Sequence, residues 1–147
     1  MNIIRADLSH LDALASLFND YRIFYQCPSD LQLARDFISA RLNHDESVIF
    51  LAMQQGQTIG FTQLYPSFCS VEACRIMILY DLYVAAGARQ SGVASALMQT
   101  ARAFAQASGA SRMDLSTQNT NIAGQHLYEK QGYRRVNEDF YSYSLYL

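Results

Sequence analysis

One stretch limits the possible architectures more than any other. "RIMILYDLYV" (75–84) is an almost unbroken apolar run, and it passes through a loop carrying Gly87, Arg89 and Gly92 into a segment with apolar residues at helical spacing. A strand this apolar is buried on both faces, so helices must cover its sheet on each side. The loop that follows has little side-chain bulk. A helix N-terminus presents unpaired N–H groups and a partial positive charge, so it can hold an anion without any basic side chain. Gly92 and Ala94 keep that approach open, and Arg89 can add a charge-assisted contact. The plainer alternative is that Gly87 and Gly92 only permit a tight strand-to-helix turn. The loop is not a Walker A, because no Gly-Lys-Ser/Thr follows, and it is not GxGxxG.

The rest of the chain reads as alternating elements. "NIIRA" is a short strand, followed by a helix in which Ser9 and Asp12 are spaced as a capping box. Cys27-Pro28 breaks the chain, and Ser29 caps a second helix. Gln55-Gly56 marks a tight hairpin, Pro66 ends its second strand, and "SFCSVEAC" is a loop or bent connection. After the glycine loop a third helix closes at Gly109, "RMDLST" is a strand, and a short fourth helix ends at Gly132. "YRRVNEDFYSYSLYL" alternates aromatic and polar residues as one or two closing strands would. The order β-α-α-β-β-β-α-β-α-β(-β) predicts an α/β mixed sheet, with no linker or repeat dividing residues 1–147, which read as a single domain.

Composition removes several function classes. Half of the 147 residues are apolar and 16% are charged, which excludes a disordered chain, and the net charge of −2 argues against a nucleic-acid partner. No apolar run approaches membrane-spanning length and no signal pattern opens the chain, so a soluble, cytoplasmic protein with no membrane partner is expected. Cys27, Cys69 and Cys74 make no CxxC pair, and with three scattered histidines they offer no metal pattern. Cys69 and Cys74 could face each other across a hairpin; as thiols of a reducing compartment they need no partner.

"DLYVAAGARQSGVASALM" resembles motif A of the GNAT superfamily of N-acetyltransferases, Arg/Gln-x-x-Gly-x-Gly/Ala, through Arg89, Gly92 and Ala94. "NIAGQHLYEKQGYRR" resembles the same family's motif B through Asn121, Leu127, Tyr128, Gly132 and Tyr133, with Gly124 where alanine is usual. The two motifs stand in the family's order, separated by one helix and one strand. The resemblance implies a central, mostly antiparallel sheet of six to seven strands with about four helices on both faces, and an acetyl-CoA-dependent N-acetyltransferase. It implies that the backbone of Gln90, Ser91, Gly92, Val93 and Ala94, with Arg89, cradles the coenzyme A pyrophosphate. It further implies that Leu82, Tyr83 and Val84 offer backbone groups to the pantetheine amides, one of their N–H groups to the thioester oxygen, and that Asn121 contacts the cofactor. The chain departs from the family at Ala86, often proline, and at Gln90-Ser91, often Gly-Lys or Gly-Arg, which removes one phosphate contact.

Attack of an amine on an acyl thioester needs a deprotonated amine, a stabilised oxygen and a protonated leaving thiolate. A primary alkylamine has a pKa near ~10.4, so its neutral form is scarce at neutral pH. Asp81, an acid inside the apolar strand, would bind the ammonium or take its proton through a water; paired with an arginine or a backbone N–H it would be merely structural. Tyr128 on bare sequence is a core tyrosine of an amphipathic helix; the resemblance makes it the general acid for the thiolate. Asn121 on bare sequence is a helix N-cap. His126 should project about 200° around the helix from Tyr128 and so reads as a surface or cofactor-edge residue.

In the family the acceptor enters between the first two helices and the connection after the third strand, which here places Tyr21, Phe24, Tyr25, Tyr65 and Phe68 along an aromatic slot, with Arg22 and Gln26 available to a polar group. The expected acceptor is the primary amine of a small molecule. A protein acceptor, or a non-catalytic acyl-CoA-binding module, are the alternatives. The aromatic C-terminal stretch suits pairing across a homodimer as well as an ordinary half-buried strand.

Overall fold

The computed structural model describes residues 1–136 and 138–147. It resolves into two compact units, Met1–Ser116 and Thr117–Leu147. The first holds a five-stranded sheet in the order β1-β2-β3-β4-β5, built from β1 (Asn2–Arg5), β2 (Val48–Gln54), β3 (Gln57–Cys69), β4 (Cys74–Val84) and β5 (Arg112–Asp114). β1 to β4 pair antiparallel, and β5 joins β4 in parallel. Three helices accompany it: α1 (Leu11–Phe24), α2 (Leu31–Asn43) and α3 (Val93–Ala107). The class is the expected mixed α/β, largely antiparallel, with helices on both faces.

Strand alternation assigns the faces. Phe61 packs against Phe18 and Tyr21 of α1, and Leu14, Phe18, Ala34, Ile38, Ile49, Leu51 and Phe61 belong to one buried cluster. The neighbouring Gly60 turns the other way: a β-carbon there would lie 3.0 Å from the Tyr83 carbonyl oxygen and 3.2 Å from Val93 Cγ1. On that second face Phe50 meets Phe104 of α3. Gln55 and Gly56 join β2 to β3 with φ of 50° and 75°, the two positive values of a type I′ turn, as the sequence predicts.

Several local expectations need correction. The capping box lies at Asp7 and His10 rather than Ser9 and Asp12, because a short 3₁₀ turn, Leu8–His10, precedes α1; Asp12 instead pairs with Arg35 of α2. Asp30, not Ser29, caps α2 by accepting from the Leu33 N–H at 3.0 Å, while the Ser29 hydroxyl accepts from Asn19. Pro66 does not end β3, which continues to Cys69. β2 stops opposite Leu64, so β3 has an open edge at residue 66, where a missing N–H costs no ladder bond. The "SFCSVEAC" segment is a strand end, a turn and a strand start, and Cys69 and Cys74 are direct register partners, both free thiols.

The second unit carries α4 (Ile122–Lys130), capped by the Asn121 side chain. Among the described residues of 133–147 no strand is formed, and Phe140, Tyr141, Tyr143 and Tyr146 are exposed. The sheet therefore has five strands rather than six or seven: alternation of side chains does not make a strand without a paired neighbour. Asn137, within the expected closing strands, lies outside the described residues.

Candidate active site

The centre of the first unit's chemistry is a bulge. Gln63 pairs with Asp81 but Leu64 pairs with Leu79, so Tyr80 is the extra residue of β4. A bulge re-aims the side chains beside it. Here Tyr80 and Asp81 both reach the face that α1 and α2 cover: Tyr80 meets Tyr65 with ring centroids 5.3 Å apart, and Asp81 hydrogen-bonds the Tyr21 side chain.

Asp81 is 5% exposed, and its Oδ2 accepts from Gln63 Nε2 at 2.7 Å. Gln63 is fully buried, and its Oε1 accepts from the Ser47 hydroxyl at 2.7 Å. Burial pushes the Asp81 carboxyl up from its ordinary range, and the hydrogen bonds from Gln63 and Tyr21 pull it partly back. Burial, and then the neighbouring Asp81 charge, raise the Tyr21 hydroxyl well above the usual range and push Tyr65 up to about 12. No ion pair to Asp81 exists among the described residues. A buried carboxyl is met by a cation, a metal or hydrogen-bond donors, or is held neutral; among the described residues only neutral donors reach this one.

Aromatic rings surround it. Tyr21 contacts Phe18, Tyr25, Phe61 and Tyr83, and Phe24 contacts Tyr25 and Tyr83. A shallow, open depression of about 550 Å³ lies beside Tyr65 and Tyr80, lined also by Phe37, Arg41 and Glu46 and not by Asp81 itself. Of the five aromatics that the sequence places at an acceptor slot, Tyr21 and Tyr65 adjoin Asp81, while Phe24 and Tyr25 extend the aromatic wall at the end of α1. Phe68 is not brought to this group: it is 67% exposed, under the Arg75 guanidinium near the β3–β4 turn. Arg22 Nη1 is buried without a hydrogen-bond partner among the described residues, and Gln26 Nε2 reaches the Phe24 carbonyl.

Beyond Asp81, β4 continues through Leu82, Tyr83 and Val84, paired on one side to Thr62, Phe61 and Gly60. On its other side β5 pairs only with Ile76, Met77 and Ile78. From Leu79 to Val84 that edge has no strand partner among the described residues, so an extended ligand could hydrogen-bond there.

The glycine loop follows. Gln90 and Gly92 adopt left-handed φ of 60° and 80°, and a β-carbon on Gly92 would meet nothing within 4 Å. α3 starts at Val93 with no side-chain cap for its first N–H groups. Gln90, Ser91 and Gly92 are exposed, Ala94 half-buried and Val93 buried. Arg89 turns back: its Nε donates to the Val84 carbonyl at 3.0 Å and its guanidinium lies over the Tyr83 and Phe24 rings, so it ties the loop to the strand end.

In the second unit, Asn121 Oδ1 accepts from the Gly124 N–H at 3.1 Å and its Nδ2 donates to Thr117 Oγ1 at 2.9 Å, which bears out the N-cap reading. Tyr128 is half-buried on α4 and its ring meets Tyr133 edge-on; His126 is exposed. Sequence reasoning passed over Ser47 and Gln63. For Gln63 a signal existed, a polar residue between Thr62 and Leu64 in an inward-facing strand; for Ser47 there was none.

A model of the acetyltransferase (GNAT) family matches residues 11–133. The chain is 47% identical over 133 residues to the uncharacterized N-acetyltransferase YhfO of Bacillus subtilis (strain 168), an alignment covering 90% of this chain and 89% of that protein. It superposes on the crystal structure of a probable acetyltransferase with a TM-score of 0.92 and 43% identity, covering 100% of this chain and 98% of that one. The aminoglycoside N-acetyltransferase AAC(6')-Iy, solved in complex with CoA, has the same fold at a TM-score of 0.80 and 21% identity, over 97% of this chain and 93% of that one.

Proposed function

The chain belongs to the acetyltransferase (GNAT) family, and from that premise we propose that it transfers the acetyl group of acetyl-CoA to the primary amine of a small molecule bound at Asp81. It is an acetyltransferase, and its family uses acetyl-CoA. The match spans the boundary between the two compact units, which supports reading residues 1–147 as one acetyltransferase domain.

The observation that carries the acceptor assignment is the buried Asp81 carboxylate, hydrogen-bonded by Gln63 and Tyr21 and lacking a cation among the described residues. An ammonium group is the complement such a site lacks. Tyr21 and Tyr65 adjoin the carboxylate, and aromatic faces attract cations. The open depression of about 550 Å³ beside Tyr65 and Tyr80 could take the rest of a small amine.

The loop's geometry fits the cofactor's phosphates. Left-handed backbone at Gln90 and Gly92, open space above Gly92 and an uncapped helix start make an anion cradle from N–H groups. Acetyl-CoA, when bound, supplies the acetyl group as an activated thioester. The backbone of Leu82, Tyr83 and Val84 would hold the extended arm, and an N–H there would stabilise the thioester oxygen. Asp81 anchors the acceptor's ammonium and removes a proton from it, directly or through a water. Tyr128 would supply its hydroxyl proton to the departing sulfur, and Asn121, besides capping α4, would contact the cofactor.

Calorimetric titration with acetyl-CoA, followed by a thiol-release screen of small amines, tests the reading. Binding with thiol release by at least one free amine, lost in Asp81→Asn, is the expected result. Release only with lysine-bearing peptides would move the acceptor to a protein, and no acetyl-CoA binding would overturn the loop assignment.

A further inference from the structure

Ser47, Gln63 and Asp81 form a chain of hydrogen bonds with a single direction. The Ser47 hydroxyl donates to Gln63 Oε1, and the Gln63 amide nitrogen donates to Asp81 Oδ2, each at 2.7 Å. All three residues are buried, at 4%, 0% and 5% exposure. They come from three places in the chain: the residue before β2, the middle of β3 and the bulge of β4.

The direction matters because an amide has two unlike ends. Turned over, Gln63 would present its carbonyl oxygen to Asp81, an arrangement only a protonated Asp81 could satisfy. The Ser47 hydroxyl can donate or accept and so satisfies the outer end of the amide in either orientation; it is the Asp81 carboxylate that selects the nitrogen-facing one. The donated N–H favours the carboxylate, the stronger acceptor, over the neutral acid, whose carbonyl oxygen accepts it more weakly. Without such donors, burial would drive Asp81 to the neutral acid, which cannot attract an ammonium.

The titratable groups facing Asp81 are Tyr21 on α1 and Tyr65 on β3. Tyr25 on α1 and Tyr80 on β4 adjoin those two, and the Arg41–Glu46 pair from α2 and the turn after it acts on Tyr65. Tyr21 and Tyr65 are pushed above their ordinary range, away from where a carboxyl titrates, so a shift in the Asp81 midpoint reports on its hydrogen bonds.

We propose that Gln63, buried and donating its amide N–H to Asp81, is a positioning residue that keeps Asp81 ionised for the acceptor's ammonium. The proposal rests on the reading of Asp81 as the amine-binding group, yet its test needs no acceptor. Protein labelled with ¹³C at the aspartate side-chain carboxyls is titrated by NMR, the Asp81 signal being the one lost in Asp81→Asn. Gln63→Leu should raise the Asp81 midpoint by about one pH unit. Gln63→Met, which keeps the side-chain length and removes the donor, should raise it by a similar amount and decides the matter if Gln63→Leu does not fold. A side chain that only fills space would lower the melting temperature and leave the midpoint in place. An unmoved or lowered midpoint in the folded variants overturns the proposal. Failure of every amine in the thiol-release screen would instead defeat the reading of Asp81 and leave the titration result standing.

Discussion

The Asn121 side chain occupies the space that a β-carbon on residue 124 would need. It lies there because its Oδ1 accepts the Gly124 N–H, so the glycine that replaces the family's usual alanine is the seat of a helix cap. Gly124→Ala should therefore gain about 1 kcal/mol of helix propensity and lose about 1 kcal/mol of capping. A double-mutant cycle in urea unfolding exposes the trade: Asn121→Ala should cost about 1 kcal/mol in the native background and nearly nothing beside Gly124→Ala. Equal costs in both backgrounds would refute the link.

Gly60 is where α3 comes close to the sheet. A methyl group there would press on the Tyr83 carbonyl and on Val93, the first residue of α3. Since a strand carbonyl cannot step aside, Gly60→Ala should cost about 1–3 kcal/mol in denaturant unfolding. On the proposed function it should also weaken acetyl-CoA binding, because it moves the helix start proposed to cradle the phosphates. Gly87→Ala, with nothing within 4 Å of the new carbon, should change stability by less than about 0.5 kcal/mol.

At Gly92, strain and charge can be separated. Gly92→Ala places a β-carbon on left-handed backbone at a cost of about 1–2 kcal/mol without a clash, and should weaken acetyl-CoA binding modestly. Gly92→Glu adds an anion at the cradle and should weaken binding by about 100-fold or more in calorimetry. Equal losses in the two variants would mean that strain alone matters and that no phosphate sits there.

Asp81 sets a pH-dependent stability. Its folded carboxyl is raised above the ordinary 3.8, with burial the largest cause. A raised carboxyl favours the folded state below the unfolded pKa, and that contribution is lost as pH rises through the folded value. Near neutral pH the ionised group is thus a burden on folding. Asp81→Asn should stabilise the protein by about 1 kcal/mol at pH 8 while abolishing amine transfer, and the gain should vanish near pH 3. A pH-independent difference between the two melting curves would contradict this.

Tyr128→Phe isolates the last proton transfer. Removing a general acid should lower kcat by about 10²- to 10⁴-fold, with acetyl-CoA affinity within a few-fold of wild type. An unchanged kcat would return Tyr128 to a packing role beside Tyr133.

Much of this architecture was legible from local patterns. The hairpin at Gln55-Gly56, the doubly buried β4, the glycine loop and the amphipathic α3 each follow from chemistry within a few residues. The capping residues were misassigned by one or two positions, since Ser9 and Ser29 have cap chemistry as good as that of Asp7 and Asp30. Only backbone geometry chooses among neighbours so alike. Asp81 and Tyr21 could be named, but their contact depends on a bulge at Tyr80 that a run of apolar residues does not announce. Ser47 and Gln63 meet across two strands, a matter of register and not of spacing. The C-terminal alternation overstated the strand count because a ladder needs a partner as well as a pattern.

β3 outruns β2 by five residues, from Tyr65 to Cys69, leaving a margin of the sheet with no strand partner on that side among the described residues. Such a margin invites a strand from another molecule to dock and begin aggregation. Pro66 stands second in that overhang and has no N–H to offer an intruder. The residue that looks like a strand breaker thus stands as the guard of an unfinished edge, at the point where the sheet would otherwise accept strangers.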